Sequence, residues 1–160
     1  GFVFGWAKPV PVNYNNLHNP RRDTALVALA GPGANLVMAL LWALGIHLGV
    51  ALLETFQWIA VPLVLMGVAG VLINSVLMAL NMLPILPLDG GRVLNSLLPP
   101  KMAQVYSRLE GFGLLIVILL LATGLLGLVL WPLVGLTISL LPASDIVMQY
   151  VPVILGSTRS

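Results

Sequence analysis

Residues 55–92 read TFQWIAVPLVLMGVAGVLINSVLMALNMLPILPLDGGR, and no charge interrupts them before Asp89. As one continuous helix the 34 uncharged residues 55–88 would reach about 51 Å, against about 30 Å of bilayer hydrocarbon. One straight span is therefore excluded. The sequence also marks the break: Asn81, Pro84 and Pro87 follow the good helical segment Leu63–Leu80, and the prolines push Leu83 and Leu86 toward extended backbone. The reading is a transmembrane helix over 56–89, broken near Asn81–Pro87. Irregular backbone at membrane depth survives only where protein or a water-filled cavity supplies its hydrogen bonds. A polar cavity is expected near the cytoplasmic end of this segment.

The rest of the chain fits the same solvent. Of 160 residues 59% are hydrophobic and 8% charged, about a third of the charged share of a soluble domain. Two further uncharged stretches, 24–53 and 111–144, each exceed the roughly 20 residues that a membrane helix needs. These features exclude a soluble enzyme, a disordered chain and a nucleic-acid-binding module. The absence of cysteine excludes disulfides, thiolate zinc sites and a cysteine nucleophile.

The expected fold is an all-α polytopic membrane protein, one core over 1–160, with about three transmembrane helices. Over 1–20, Phe2, Phe4 and Trp6 alternate with Gly1, Val3 and Gly5, and Lys8 to Val12 carries two prolines; this reads as a short β-hairpin or edge strand. The first span, 21–53, has Asn19 as N-cap, Pro20 at the first helical position and Asp23 in the first turn. Gly31-Pro32-Gly33 within it predicts a kink or a tight contact. Residues 101–131 form an amphipathic piece followed by a span over 111–131, with Trp131-Pro132 as interfacial anchor and stop. The apolar tail 132–160 can cross, lie in the interface or re-enter. Lys8, Arg21, Arg22, Arg92, Lys101 and Arg108 fall on one side of this topology, which the positive-inside rule makes cytoplasmic.

Asp89 is the acid that stands at the end of the broken span. Asp89-Gly90-Gly91-Arg92 reads either as an Asx turn neutralised by Arg92 or as a carboxylate that works inside the inferred cavity. The motif Asn81-x-x-Pro84-x-x-Pro87-Leu88-Asp89-Gly90-Gly91-Arg92 resembles a signature of the site-2 protease family, zinc metalloproteases that cut within the membrane. Ala30-Gly31-Pro32-Gly33-Ala34-Asn35 resembles the family's small-residue motif, and Gly5 to Asn13 resembles its strand beside the active site. The blocks occur in the family's order and the resemblance covers most of residues 1–115.

The resemblance implies a cell-membrane enzyme of the compact branch, without a PDZ domain, that holds one zinc ion and hydrolyses peptide bonds in the transmembrane segments of its substrates. Asp89 would be a zinc ligand, and Asn81 would hold the substrate carbonyl or its oxyanion. Gly90 would let the backbone turn beside the metal, Asn35 would position substrate or structure, and Pro84 and Pro87 would shape the broken segment. The family's His-Glu-x-x-His motif, which supplies two ligands and the general base, is absent from this sequence. His18 and His47 are 29 residues apart, one in an inner loop and the other near the outer end of the first span, so neither is assigned to metal. The simplest expectation is N-terminal truncation ahead of Gly1. The alternatives are an inactive homologue or a non-enzymatic membrane protein that binds helices through Gly31–Ala34.

Overall fold

A computed structural model describes residues 19–154. The β segment expected over 1–20 lies outside the described residues up to position 18, and so do Lys8 and His18. Its last two positions already belong to a helix start. The first helix, α1 (Pro20–Leu52), begins where the capping signals placed it, with Asn19 as N-cap. The bond runs the opposite way from the usual cap: the Asn19 backbone N–H donates to Asp23 Oδ2 at 3.1 Å. Thr24 closes the first turn by donating its hydroxyl to the Pro20 carbonyl at 2.6 Å. The helix runs through Pro32 without ending, so the Gly31 region makes the close contact that was expected there rather than a break.

α1 turns back through 53–56 into α2 (Gln57–Asn81), and these two helices form the most extensive pairing in the molecule. Glycines let them approach. A Cβ on Gly49 would stand 3.1 Å from the Val64 nitrogen, one on Gly67 would stand 3.1 Å from the Trp42 carbonyl, and one on Gly70 would run into the Trp42 indole. Without a hydrophobic drive between helices in lipid, such close approach is what dispersion and packing reward. Ala39, Ala43 and Ile46 of α1 meet Val64, Val68, Val71 and Leu72 of α2 in the buried core.

The broken segment takes the expected form. α2 ends at Asn81, residues 82–88 are irregular, and α3 (Asp89–Leu97) follows. Beyond it lie α4 (Pro100–Ser107), α5 (Glu110–Ala122), α6 (Leu125–Ser139) and α7 (Ser144–Ile154). The span expected over 111–131 is not one helix. It divides at Thr123-Gly124, where Gly124 takes φ +74°, the left-handed conformation that ends helices because it costs glycine nothing. Trp131 and Pro132, expected as a stop, sit inside α6. The described part of the tail, 132–154, is the rest of α6 and α7, both packed on α2. Leu126, Leu130, Val134 and Ile138 form one buried row along α6, at the i, i+4 spacing of a single helix face.

Among the described residues all regular structure is helical. α1 and α2 are long and apolar enough to cross a membrane, and α4 with α5, bent by 62°, makes a third if the pair counts as one span. Leu26, Leu44, Leu48, Trp58, Leu114 and Leu128 are among many large apolar side chains that point outward, as in a protein whose solvent is lipid.

The α5 helix is tied to the irregular segment at Gly113, where a Cβ would fall on the Leu86 carbonyl. Gly113→Ala is expected to destabilise the fold by about 1–3 kcal/mol through overpacking. Gly111→Ala, two residues away and facing open space, is expected to be neutral or slightly stabilising. Thermal unfolding in detergent compares them, and equal effects of the two substitutions would contradict this packing.

Candidate active site

The residues singled out in the sequence gather around 82–88. This irregular segment satisfies much of its own backbone: Ile85 N–H donates to the Leu83 carbonyl at 2.8 Å, Leu88 N–H to Ile85 at 2.9 Å, and Arg92 N–H to Leu88 at 3.1 Å. The Tyr106 hydroxyl, reaching from α4, donates to the Pro84 carbonyl at 2.9 Å. Broken backbone next to lipid needs donors of this kind. Tyr106→Phe is expected to cost about 1 kcal/mol by orphaning that carbonyl, read as a lowered unfolding midpoint in detergent; an unchanged midpoint would show that the bond contributes nothing.

Asp89 does not close a turn. It is the first residue of α3, whose N-cap Leu88 is extended. Gly90 and Gly91 are buried within the helix, and their value is close approach rather than turning freedom: among the described glycines the left-handed conformation occurs at Gly124. A Cβ on Gly90 would strike the Met82 carbonyl, and one on Gly91 would lie 2.5 Å from the Leu86 nitrogen. The Gly90–Met82 contact folds the two ends of the segment together. It brings Asn81 and Asp89, each one residue from that contact, to the same place in the fold. Asn81 and Asp89 are both partly buried.

Across from them is α1. Asp89 Oδ2 lies 2.6 Å from where a Gly31 Cβ would be, so the carboxylate fits only because position 31 has no side chain. Asn35 lies one turn further along the same face and is partly buried. Gly31 is 11 residues, or about 16 Å, along α1 from Pro20, so Asp89 meets α1 about a third of the way along that helix. Among the described residues its carboxylate has no hydrogen-bond or ion-pair partner. The neutralising pair with Arg92 expected of a simple turn is not formed. His47 is exposed and lies 16 residues, about 24 Å, beyond Gly31, far from Asp89. No group of three His, Cys, Asp or Glu side chains suited to a metal occurs among the described residues.

A polar cavity exists at this end, but of the broken segment only Leu86 lines it, and Asp89 does not. A cleft of about 350 Å³ opens between the start of α1, α3 and the start of α5, with Arg21, Arg92, Asn95 and Glu110 in its wall. Because Gly31 meets Asp89 while Arg21 shares the cleft with Arg92, α3 runs back along α1 toward Pro20. Arg92 and Ser96, at i+3 and i+7 from Asp89, extend the Asp89 face of α3 into the cleft. Sequence reasoning used Arg21 and Arg92 as topology signals and did not single out Asn95, Ser96 or Thr24, since no spacing rule joins positions so far apart.

Comparison with known proteins gives one relevant similarity. The chain is 34% identical over 143 residues to a Bacillus subtilis (strain 168) protein named "Putative zinc metalloprotease YwhC"; the match takes in 82% of this chain and 61% of that protein. The chain thus spans about three fifths of this relative's length. No family model matches the chain, and no solved structure matches it.

Proposed function

We propose that this chain carries part of the active site of a membrane-embedded zinc metalloprotease of the site-2 type, which hydrolyses peptide bonds inside the transmembrane segments of its substrates. The observation that carries the reading is the Asp89 carboxylate, without a partner among the described residues and held against Gly31 at the end of a broken apolar helix. An acid at membrane depth is costly and is usually functional, and Asp89 is half-buried there. The name and the 34% identity of the Bacillus relative support a zinc metalloprotease family.

In this reading Asp89 is one zinc ligand. An open catalytic zinc site uses three protein ligands, and the described residues do not hold that set, so the remaining ligands and the general base come from outside them. Asn81 donates its amide N–H to the substrate carbonyl, where a neutral donor stabilises developing negative charge without competing with a metal for the carboxylate. Asn35 positions substrate from the facing helix, and Gly90, Pro84 and Pro87 hold the segment in shape. Arg21, Arg22, Arg92, Lys101 and Arg108 mark the cytoplasmic side of a multi-pass cell-membrane protein. The helix-binding alternative loses one of its small residues, because Gly31 already receives Asp89.

The test uses the full-length protein in vesicles with a substrate that has a single apolar span, and maps the cut by mass spectrometry. A cut inside the span is expected. Cuts confined to the polar flanks would contradict intramembrane proteolysis, and intact substrate would contradict a protease.

A further inference from the structure

The cleft beside Asp89 has a chemistry that the proposed proteolysis does not use. Two guanidinium groups, Arg21 and Arg92, share its wall with Glu110, and among the described residues none of the three is in an ion pair. The hydroxyls in the wall have no proton to offer: Thr24 donates to the Pro20 carbonyl at 2.6 Å and Ser96 donates to the Val93 carbonyl at 2.7 Å. Asn95 gives one of its two Nδ2 protons to Ser107 Oγ at 3.1 Å, and its Oδ1 is buried, out of reach of the cleft. Apart from its arginines and the second Asn95 amide proton, then, the wall presents acceptors: two hydroxyl oxygens and one carboxylate.

A ligand that satisfies such a wall must offer an anion to the arginines and hydrogen-bond donors to the oxygens. A simple carboxylate or sulfate answers only the first need. A phosphodiester whose headgroup carries hydroxyl or ammonium protons answers both. The location selects a lipid as its source. The cleft lies at the charged end of α1, and beside it on α3 and α4 the side chains of Leu97, Met102 and Val105 are 75%, 57% and 62% exposed. Lys101 stands among them, the pattern of a short helix lying in the interface.

We infer that this cleft is a binding site for a phospholipid headgroup with hydrogen-bond donors, phosphatidylglycerol or phosphatidylethanolamine, with its phosphodiester on Arg21 and Arg92 and its hydroxyl or ammonium protons on Glu110 and the Thr24 and Ser96 hydroxyl oxygens. The site stands whether or not the chain is part of a protease.

Native mass spectrometry of the delipidated full-length protein, titrated with dioleoyl phosphatidylglycerol, phosphatidylethanolamine or phosphatidylcholine, tests it. One phosphatidylglycerol or phosphatidylethanolamine molecule should be retained about tenfold more tightly than phosphatidylcholine, whose headgroup has no N–H or O–H. Arg92→Gln and Arg21→Gln should each weaken retention about tenfold, the scale of one lost charge-assisted bond. Arg22→Gln, outside the cleft, should leave it unchanged. Equal retention of the three lipids, or an equal loss in Arg22→Gln, would overturn the inference. Soluble glycerophosphoglycerol binding as tightly as the lipid would overturn the lipid source.

Discussion

Replacing Asp89 with alanine in the full-length protein is expected to lower the rate of peptide-bond cleavage by more than the roughly 100-fold that loss of a partner one shell out from a metal costs. The reason is positional. Asp89 is the described acid packed against α1 at Gly31, and nothing among the described residues binds its carboxylate. Removing it therefore orphans no internal donor and relieves an uncompensated charge, so the unfolding midpoint should hold or rise. That separation is what makes the experiment informative. A purely structural aspartate would show the reverse pattern, a lowered unfolding midpoint with proportionate loss of activity. Asp89→Asn sharpens the comparison, because it keeps the volume against Gly31 and removes the charge. It should be as inactive as the alanine variant, and activity retained in either would remove Asp89 from the site.

Gly31→Ala should act on the same carboxylate without touching it chemically. The new methyl would lie 2.6 Å from Asp89 Oδ2 and 3.5 Å from its Cγ, and the first of these is not a distance at which atoms rest. Something has to move, and the end of a side chain moves more cheaply than two packed helices. A displacement of about 1 Å at a reacting site costs on the order of 100-fold in rate. Stability should hold or rise slightly, because alanine is the better helix former by about 0.8–1.0 kcal/mol. Gly33→Ala is the control: it has the same chemistry in the same helix, with nothing among the described residues within 4 Å of the new methyl, and should keep full activity. Equal losses from Gly31→Ala and Gly33→Ala, measured as cleavage rates in vesicles, would show that the effect belongs to the helix and not to Asp89.

The break after Asn81 was legible in the sequence because proline removes a donor and restricts its neighbour whatever surrounds it. The start of α1 was legible for a similar local reason, in Asn19, Pro20 and Asp23. What failed was decided by distant contacts or by a signal overruled by hydropathy. Asp89-Gly90-Gly91 reads locally as a turn because glycine disfavours helix; packing against Met82, Ile85 and Leu86 instead requires the absence of side chains there, and α3 forms through both glycines. Gly124 carries an ordinary helix-stop signal, yet the unbroken apolar run around it suggested a single span. The cleft was foreseen only as a polar cavity. Its wall joins positions 21, 92, 95 and 110, and only the folding of α3 back along α1 brings them together.

The most direct measurement is the zinc content of the purified full-length protein and of its Asp89→Ala variant, with the metal's coordination read by X-ray absorption. One zinc per chain is expected, with a carboxylate oxygen in its first shell that the variant lacks, together with weaker retention of the metal. The same zinc content and the same first shell in both proteins would contradict the assignment of Asp89 to a metal site.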